Sequence, residues 1–269
     1  MIQRHGLAEL HLRGRVHRID LSAEPVIELE DGRVLRAKRV VLALGGGRPR
    51  WPDWALEGRD RGLQIQHVFE PGFELRPEEW PESVAVIGGG ISAAQVALRL
   101  ADSGRRVELV ARHALRKHQF DSDPGWIGPK HMRRFRATLD LDQRRRMIDG
   151  ARHAGSLPPD VYGALRRAIQ KGSVVHLRQE RPPEGVEAVL LATGFEGQRP
   201  GGALIDDLVQ RHELPCAACG YPVVDGQLRW HPAVFVTGAL AELEVGPIAK
   251  NIVGARQAGD RIVEAARAR

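Results

Sequence analysis

Short apolar stretches separated by glycine and aspartate open the chain. Val16–Ile19 and Val26–Leu29 read as strands, and Asp31-Gly32 carries the turn signal of a hairpin between Ile27-Glu28-Leu29-Glu30 and Arg33-Val34-Leu35. Val40-Val41-Leu42-Ala43-Leu44 then runs without a polar residue into Gly45-Gly46-Gly47. A continuous apolar run of that kind suits a strand covered on both faces. Residues 51–82 are rich in breakers and aromatics, among them Trp51, Pro52, Trp54, Pro71, Pro77, Trp80 and Pro81, and read as an interdomain connection.

A second apolar run, Val84-Ala85-Val86-Ile87, ends in Gly88-Gly89-Gly90. Helical spacing follows from Ser92 to Ser103, Gly104 stops it, and Arg106-Val107-Glu108-Leu109-Val110 is the next strand. This is a strand–turn–helix–strand unit of the length that starts a βαβ fold. Residues 113–171 are polar and helical in spacing and read as an insert. Strand signals return at Val174–Leu177, Ala188–Ala192 and Val234–Val236, the last two closed by Thr193-Gly194 and Thr237-Gly238. A final helix is predicted from Pro247 onward.

Composition narrows the function classes. Of 269 residues, 42% are hydrophobic and 28% charged, a globular rather than disordered balance. Apolar runs stay too short to span a membrane. The opening Met1–Gly6 has no apolar core, which predicts no secretory leader. Two cysteines do not make a disulfide scaffold, so a reducing cytoplasm is the expected location. The net charge is +6, with 35 arginines against five lysines. Because 34 acidic residues are interspersed, nucleic acid is not expected as a partner.

The strongest chemical signal is Gly88-x-Gly90-x-x-Ala93, because it lies between a strand and a helix. Gly88 permits a tight turn. Gly89 and Gly90, with the first helical residues Ile91 and Ser92, let backbone amides approach a pyrophosphate at the helix N-terminus, and Ala93 is small enough for close helix–strand packing. An NAD site wants an acidic residue at the end of the following strand. Here that end is Ala111-Arg112, while Glu108 lies mid-strand. Arg112 suits a 2′-phosphate, with His113, Arg116 and Lys117 adding positive charge, so NADP(H) is favoured over NAD(H).

With these residues in view, the chain resembles the two-dinucleotide FAD/NAD(P)-binding flavoprotein oxidoreductases. More narrowly, it is similar to the flavin-dependent N-hydroxylating monooxygenases of lysine and ornithine. Gly88–Gln95 is close to their NADPH turn, and Ala192-Thr193-Gly194-Phe195 to a motif that ends a strand near the nucleotides. Leu42–Gly46 looks like a degraded copy of that motif, with Gly45 near the flavin. Gly238, Gly246 and Pro247 resemble positions of the closing FAD element.

The resemblance implies an α/β fold. A Rossmann-like NADP-binding domain over residues 83–199 carries the helical insert 113–171. Both chain ends, residues 1–50 and 200–269, build an incomplete FAD-type domain. Nothing before Val16 offers the family's first FAD turn, so the chain is expected to start partway through that domain and to bind FAD weakly or not at all when isolated. Residues 241–251 also depart from the hydroxylases' His-Gly-Leu segment. The implied activity is an NADPH-dependent, flavin-linked oxidoreductase, monooxygenase-like, defective or partner-dependent for FAD. The alternative is a non-catalytic NADP-binding module or a subunit of a split flavoprotein. Missing strands predict an exposed sheet edge near 40–46 and 234–238 that favours dimerisation or a partner chain.

Other constellations carry less. Cys216 and Cys219 form a CxxC that reads as two loop cysteines, with zinc only if His212 and His231 join. His118, Asp121, Asp123 and His131 read as turn chemistry rather than a metal site, and Phe120, Asp121 and Trp126 are substrate-region candidates by resemblance. Arg133-Arg134 and Arg144-Arg145-Arg146 read as a solvated helical face with local ion pairs. No residue is assigned to catalysis, and the substrate is not identified.

Overall fold

The computed structural model describes residues 5–267; Met1–Arg4, which open the stretch read for a leader, lie outside it. Thirteen strands are described: β1 (Val16–Asp20), β2 (Val26–Leu29), β3 (Val34–Arg36), β4 (Val40–Leu42), β5 (Gln64–His67), β6 (Ser83–Ile87), β7 (Arg106–Ala111), β8 (Arg116–Lys117), β9 (Ser156–Leu157), β10 (Val174–Arg178), β11 (Ala188–Leu191), β12 (Arg229–His231) and β13 (Val234–Val236). The α-helices are α1 (Asp53–Asp60), α2 (Ile91–Asp102), α3 (Pro129–Ala137), α4 (Leu141–Ala151), α5 (Pro159–Gln170), α6 (Gly202–His212), α7 (Glu242–Val245) and α8 (Ile252–Arg267). The chain forms two compact units. Of the described residues, one holds 5–45, Arg133–Arg146 and 199–267, the other Gly46–Met132 and Met147–Gln198.

The second unit is built on a five-stranded sheet in the order β10-β7-β6-β11-β5, parallel throughout. A parallel sheet needs cover on both faces, and the sequence supplies it. Val84, Val86, Leu109 and Leu190 face one way and pack with Ala93, Ala97 and Leu100 of α2 and Leu165 of α5. Ala85, Ile87, Val110, Val189 and Leu191 face the other way and pack with Ala55 of α1. The small apolar stripe of α2 recurs at helical spacing, which brings the helix close to the sheet. Residues 51–82, expected as a connection, contribute α1 and β5. The Gln64-Ile65-Gln66-His67 alternation places Ile65 and His67 inward and fills the edge of the sheet beside β11.

The first unit holds the antiparallel meander β1-β2-β3 and a small sheet ordered β12-β13-β4, in which β13 and β4 run parallel. The expected edge is therefore half corrected. β4 is an edge, with Val41 exposed, but Val234, Phe235 and Val236 of β13 are central and buried. The final helix begins at Ile252 rather than Pro247. Pro247–Lys250 is a separate 3-10 turn, and the side chain of Asn251 accepts the Gly254 amide at 2.9 Å as the helix cap.

The basic face expected to be solvated is turned inward at two positions. Arg144 reaches Glu244 at 3.0 Å and the Leu243 carbonyl at 2.9 Å, and Arg145 reaches the fully buried Glu242 at 2.7 Å while lying over Tyr221. Lys250 also lies 3.4 Å from Glu242. A buried carboxylate demands such partners. No spacing rule links residues about a hundred positions apart, so this network was not legible in the sequence.

Leu190 is fully buried beside β6 and β5, whereas Val175 on the edge strand β10 is half exposed. Leu190→Ala is expected to lower stability by about 2–5 kcal/mol, and Val175→Ala by well under about 1 kcal/mol. Urea unfolding of both variants measures the difference.

Candidate functional site

In the second unit, β6 runs into Gly88-Gly89-Gly90 and α2 starts immediately after. The sheet order reverses on either side of β6, with β7 and β10 to one side and β11 and β5 to the other. The crevice beyond the carboxyl ends of such strands is where doubly wound folds take ligands. Gly88 has φ +151°, and a Cβ there would strike the Ala192 carbonyl oxygen. Only a residue without a side chain lets the β6 turn come this close to the end of β11. The Gly88 amide donates to Val110 at 2.9 Å and the Ala192 amide to Ile87 at 2.8 Å, so three strand ends converge on one turn.

Gly90 is the N-cap of α2 and supplies no side chain to cap it, so the amides of the first turn are left for a partner outside the helix. Ile91 is exposed, Ser92 half-buried, and Ala93 fully buried against the sheet. Arg112 stands exposed one residue past the end of β7. Glu108 is mid-strand, opposite Ala85 and Val175 in the ladder, which leaves it short of the strand end where a ribose contact would form. His113 lies over the turn, and a Cβ on Gly89 would come within 2.7 Å of its Cε1.

Thr193 and Gly194 follow β11 and meet a group that the sequence reading passed over. His67, at the end of β5, is completely buried. Its Nδ1 accepts the Phe69 amide at 3.1 Å, which leaves the proton on Nε2, 3.1 Å from Thr193 Oγ1. Thr193 in turn donates to the Arg50 carbonyl, and Arg50 N donates to Gly194 O at 2.9 Å. Trp51 and Phe69 flank the imidazole, and Phe69 stacks on Phe195 at 4.6 Å. Burial pushes the His67 imidazole below its ordinary value, which holds the ring neutral. The signal was present in the period-two pattern of Gln64–His67, but it was masked by the prolines and tryptophans around it.

The second unit thus brings together Gly88, Gly89, Gly90, Ile91, Ser92, Ala93, Arg112, His113, Thr193 and Gly194. Gly45, Gly238, Gly246 and Pro247 lie in the first unit. There the Thr237 amide donates to Leu42 at 3.0 Å, which sets Gly238 (φ +62°) beside the end of β4, and Gly45 faces open space. Gly246 (φ +87°) joins α7 to the buried turn at Pro247. Among the described residues of this unit, no strand passes through a glycine turn into a helix of two turns or more. The start of α8 is also closed: it is capped by Asn251, and a Cβ on Gly254 would strike the Ile248 carbonyl.

Asp123 accepts the Gly125 amide at 2.7 Å and lies 3.4 Å from His131, Trp126 is buried against His131, and Phe120 is exposed. His118 stacks on His153 instead. Cys216 and Cys219 are free thiols in a tight turn, with burial pushing the Cys216 thiol up. His212 accepts the Leu21 amide and His231 the Ala233 amide. Among the described residues, no three His, Cys, Asp or Glu side chains are grouped to hold a metal, and no helix is long and apolar enough to cross a membrane.

A parallel sheet, a glycine turn at its switch point and an uncapped helix define a dinucleotide-binding α/β protein. Residues 3–260 match the model of the pyridine nucleotide-disulphide oxidoreductase family, and the chain belongs to that family of FAD- and NAD(P)-binding flavoprotein oxidoreductases. The fold is similar to that of an ornithine hydroxylase from Pseudomonas aeruginosa (18% identity, TM-score 0.59, covering 92% of this chain and 70% of that one). It is also similar to an ornithine N-hydroxylase from Kutzneria sp. 744, solved with reduced FAD, NADP⁺ and L-ornithine (15%, 0.60, 90% and 67%). A bacillithiol disulfide reductase from Bacillus cereus shares the fold as well (15%, 0.57, 98% and 75%). No curated protein sequence matches the chain.

Burial depresses the proton affinity of His67, and of His176 and His231, below the ordinary value of about 6.5. The unfolded chain takes up these protons first, so the stability the neutral rings contribute is complete above about pH 6.5 and is lost as the pH falls below it. The melting temperature is expected to drop between pH 7.5 and 5, with a shallower slope in His67→Gln. A circular dichroism melt at each pH measures both.

Proposed function

We propose that the chain is an NADPH-dependent, flavin-linked oxidoreductase of monooxygenase type, with the nicotinamide nucleotide held by its second unit. The observation that carries this reading is the Gly88–Gly90 turn, placed at the switch point between β6 and the uncapped start of α2. The first amides of α2 would hold the diphosphate. Arg112, free of acidic neighbours in the sequence from Val110 to Phe120, would hold the 2′-phosphate. The Thr193–His67 chain would keep the Thr193-Gly194 wall rigid beside them. When bound, NADPH supplies a hydride from its nicotinamide; the protein's part is to orient that ring and keep water from it.

FAD is proposed to bind weakly or not at all to the isolated chain. Gly45, Gly238, Gly246 and Pro247 are the backbone positions assigned to it by resemblance. What supports this reading is that no strand among the described residues of the first unit runs through a glycine turn into a helix of two turns or more. The same observation favours a second reading, an NADP-binding module or one subunit of a split flavoprotein. The β4 edge with its exposed Val41 is where a partner chain or a second copy would pair.

Calorimetric titration of the purified chain with NADPH and, separately, with FAD tests the pair of readings. NADPH binding with no FAD heat is the expected outcome; tight FAD binding would overturn the second reading. Arg112→Ala is expected to weaken NADPH by about ten- to a hundredfold and leave NADH within about twofold. Equal losses for both nucleotides would remove the 2′-phosphate role.

A further inference from the structure

The face of the glycine turn is partly covered in this structure, with Gly88, Gly89 and Gly90 each half-buried. After β7 the chain places His113 against Gly89 and then meets a second segment, Arg152–Leu157, which follows α4. The two form the short parallel ladder β8–β9, with Arg116 opposite Ser156 and Lys117 opposite Leu157. Leu157 is buried in the core beneath the sheet's covering helices and anchors one end. From that anchor the segment reaches the turn at Gly155. A Cβ on Gly90 would lie 3.7 Å from the Gly155 Cα, and one on Gly155 (φ +71°) would lie 2.6 Å from His113 Nε2. The same imidazole covers Gly89. The chain itself therefore stands over part of the surface that Gly89 and Gly90 leave without side chains.

Besides the β8–β9 ladder and an antiparallel bridge between Ser122 and Arg152, this segment is held by contacts near the surface. The rings of His118 and His153 stack face to face, with centroids 4.0 Å apart and planes within 10°. His118 N donates to Leu157 O at 3.0 Å, His153 N to Asp121 O at 2.7 Å, and Ser156 N to His153 O at 3.2 Å. Arg116 adds a long contact to the Ala154 carbonyl at 3.4 Å. His118 is exposed, and hydrogen bonds at such a surface hold weakly because water replaces them readily.

We propose that residues 152–157 are a strap closed over the glycine turn, latched by the His118–His153 ring stack, which a dinucleotide diphosphate must lift to reach the amides of α2. This rests on the nucleotide reading given above. The strap and the diphosphate compete for one surface, so the nucleotide affinity measured is lowered by the fraction of chains that are closed. Removing one ring of the latch raises the open fraction without touching the turn, while replacing it with another flat ring keeps the stack.

Hydrogen–deuterium exchange of the full chain, with and without NADPH, combined with NADPH titration of the wild type, His153→Ala and His153→Phe, tests this. The amides of His153 and Ser156 are expected to be protected in the free chain and to exchange faster at saturating NADPH. His153→Ala should exchange faster without nucleotide and bind NADPH about three- to tenfold more tightly, the range expected for loss of one ring stack. His153→Phe should stay within about twofold of the wild type. NADPH binding with unchanged exchange at 152–157 and equal affinity in all three proteins would overturn the strap and leave the nucleotide reading standing. No NADPH binding to the wild type or to His153→Ala would overturn the nucleotide reading itself, and the proposal with it.

Discussion

The missing side chain at Gly88 is the constraint on which the second unit is organised. At φ +151°, with the Ala192 carbonyl against the place where a Cβ would stand, the turn after β6 touches the end of β11 directly. That contact brings α2 down onto the sheet, and only alanines at 93, 94 and 97 let it come that near. The same closeness leaves the first amides of α2 at the mouth of the crevice. Packing and chemistry thus share one cause: a backbone approach that any side chain would prevent.

The other end of the crevice is fixed by polar rather than steric means. His67 would be costly to bury unpartnered. It is satisfied at both nitrogens, by the Phe69 amide and by Thr193, and Thr193 passes the chain of bonds on to Arg50. The ring is thereby held in one tautomer, and the loop after β11 is tied to the segment before α1. A threonine that reads in sequence as part of a nucleotide motif is, in the structure, also the joint between two loops.

The first unit solves a different problem. Its closing segment, residues 238–250, is three short helical turns rather than one long helix, and buries Glu242. Arg145 and Lys250 supply the positive charge that makes this tolerable, while Arg144 and Arg261 pair with the neighbouring Glu244. Removing one partner of such an enclosed pair leaves an uncompensated buried charge, which costs more than the intact pair contributes.

Much of this was legible in the residues. The strands around Gly88, the helix that ends at Gly104, the hairpin at Asp31-Gly32 and the placing of Arg112 past β7 all follow from local spacing, because turns and periodicities are decided by neighbours in the chain. β5 was not, since its alternation lies among prolines and tryptophans that signal a break. The inward turn of Arg144 and Arg145, the burial of His67 and the cover of His113 and Gly155 over the glycine turn were not legible either. Each depends on a partner tens to a hundred residues away, and no pattern within a helix or strand names that partner. The sequence by itself determined where a phosphate-binding turn could form. Only the tertiary structure decided what stands beside it, because long-range packing sets which side chains share its space.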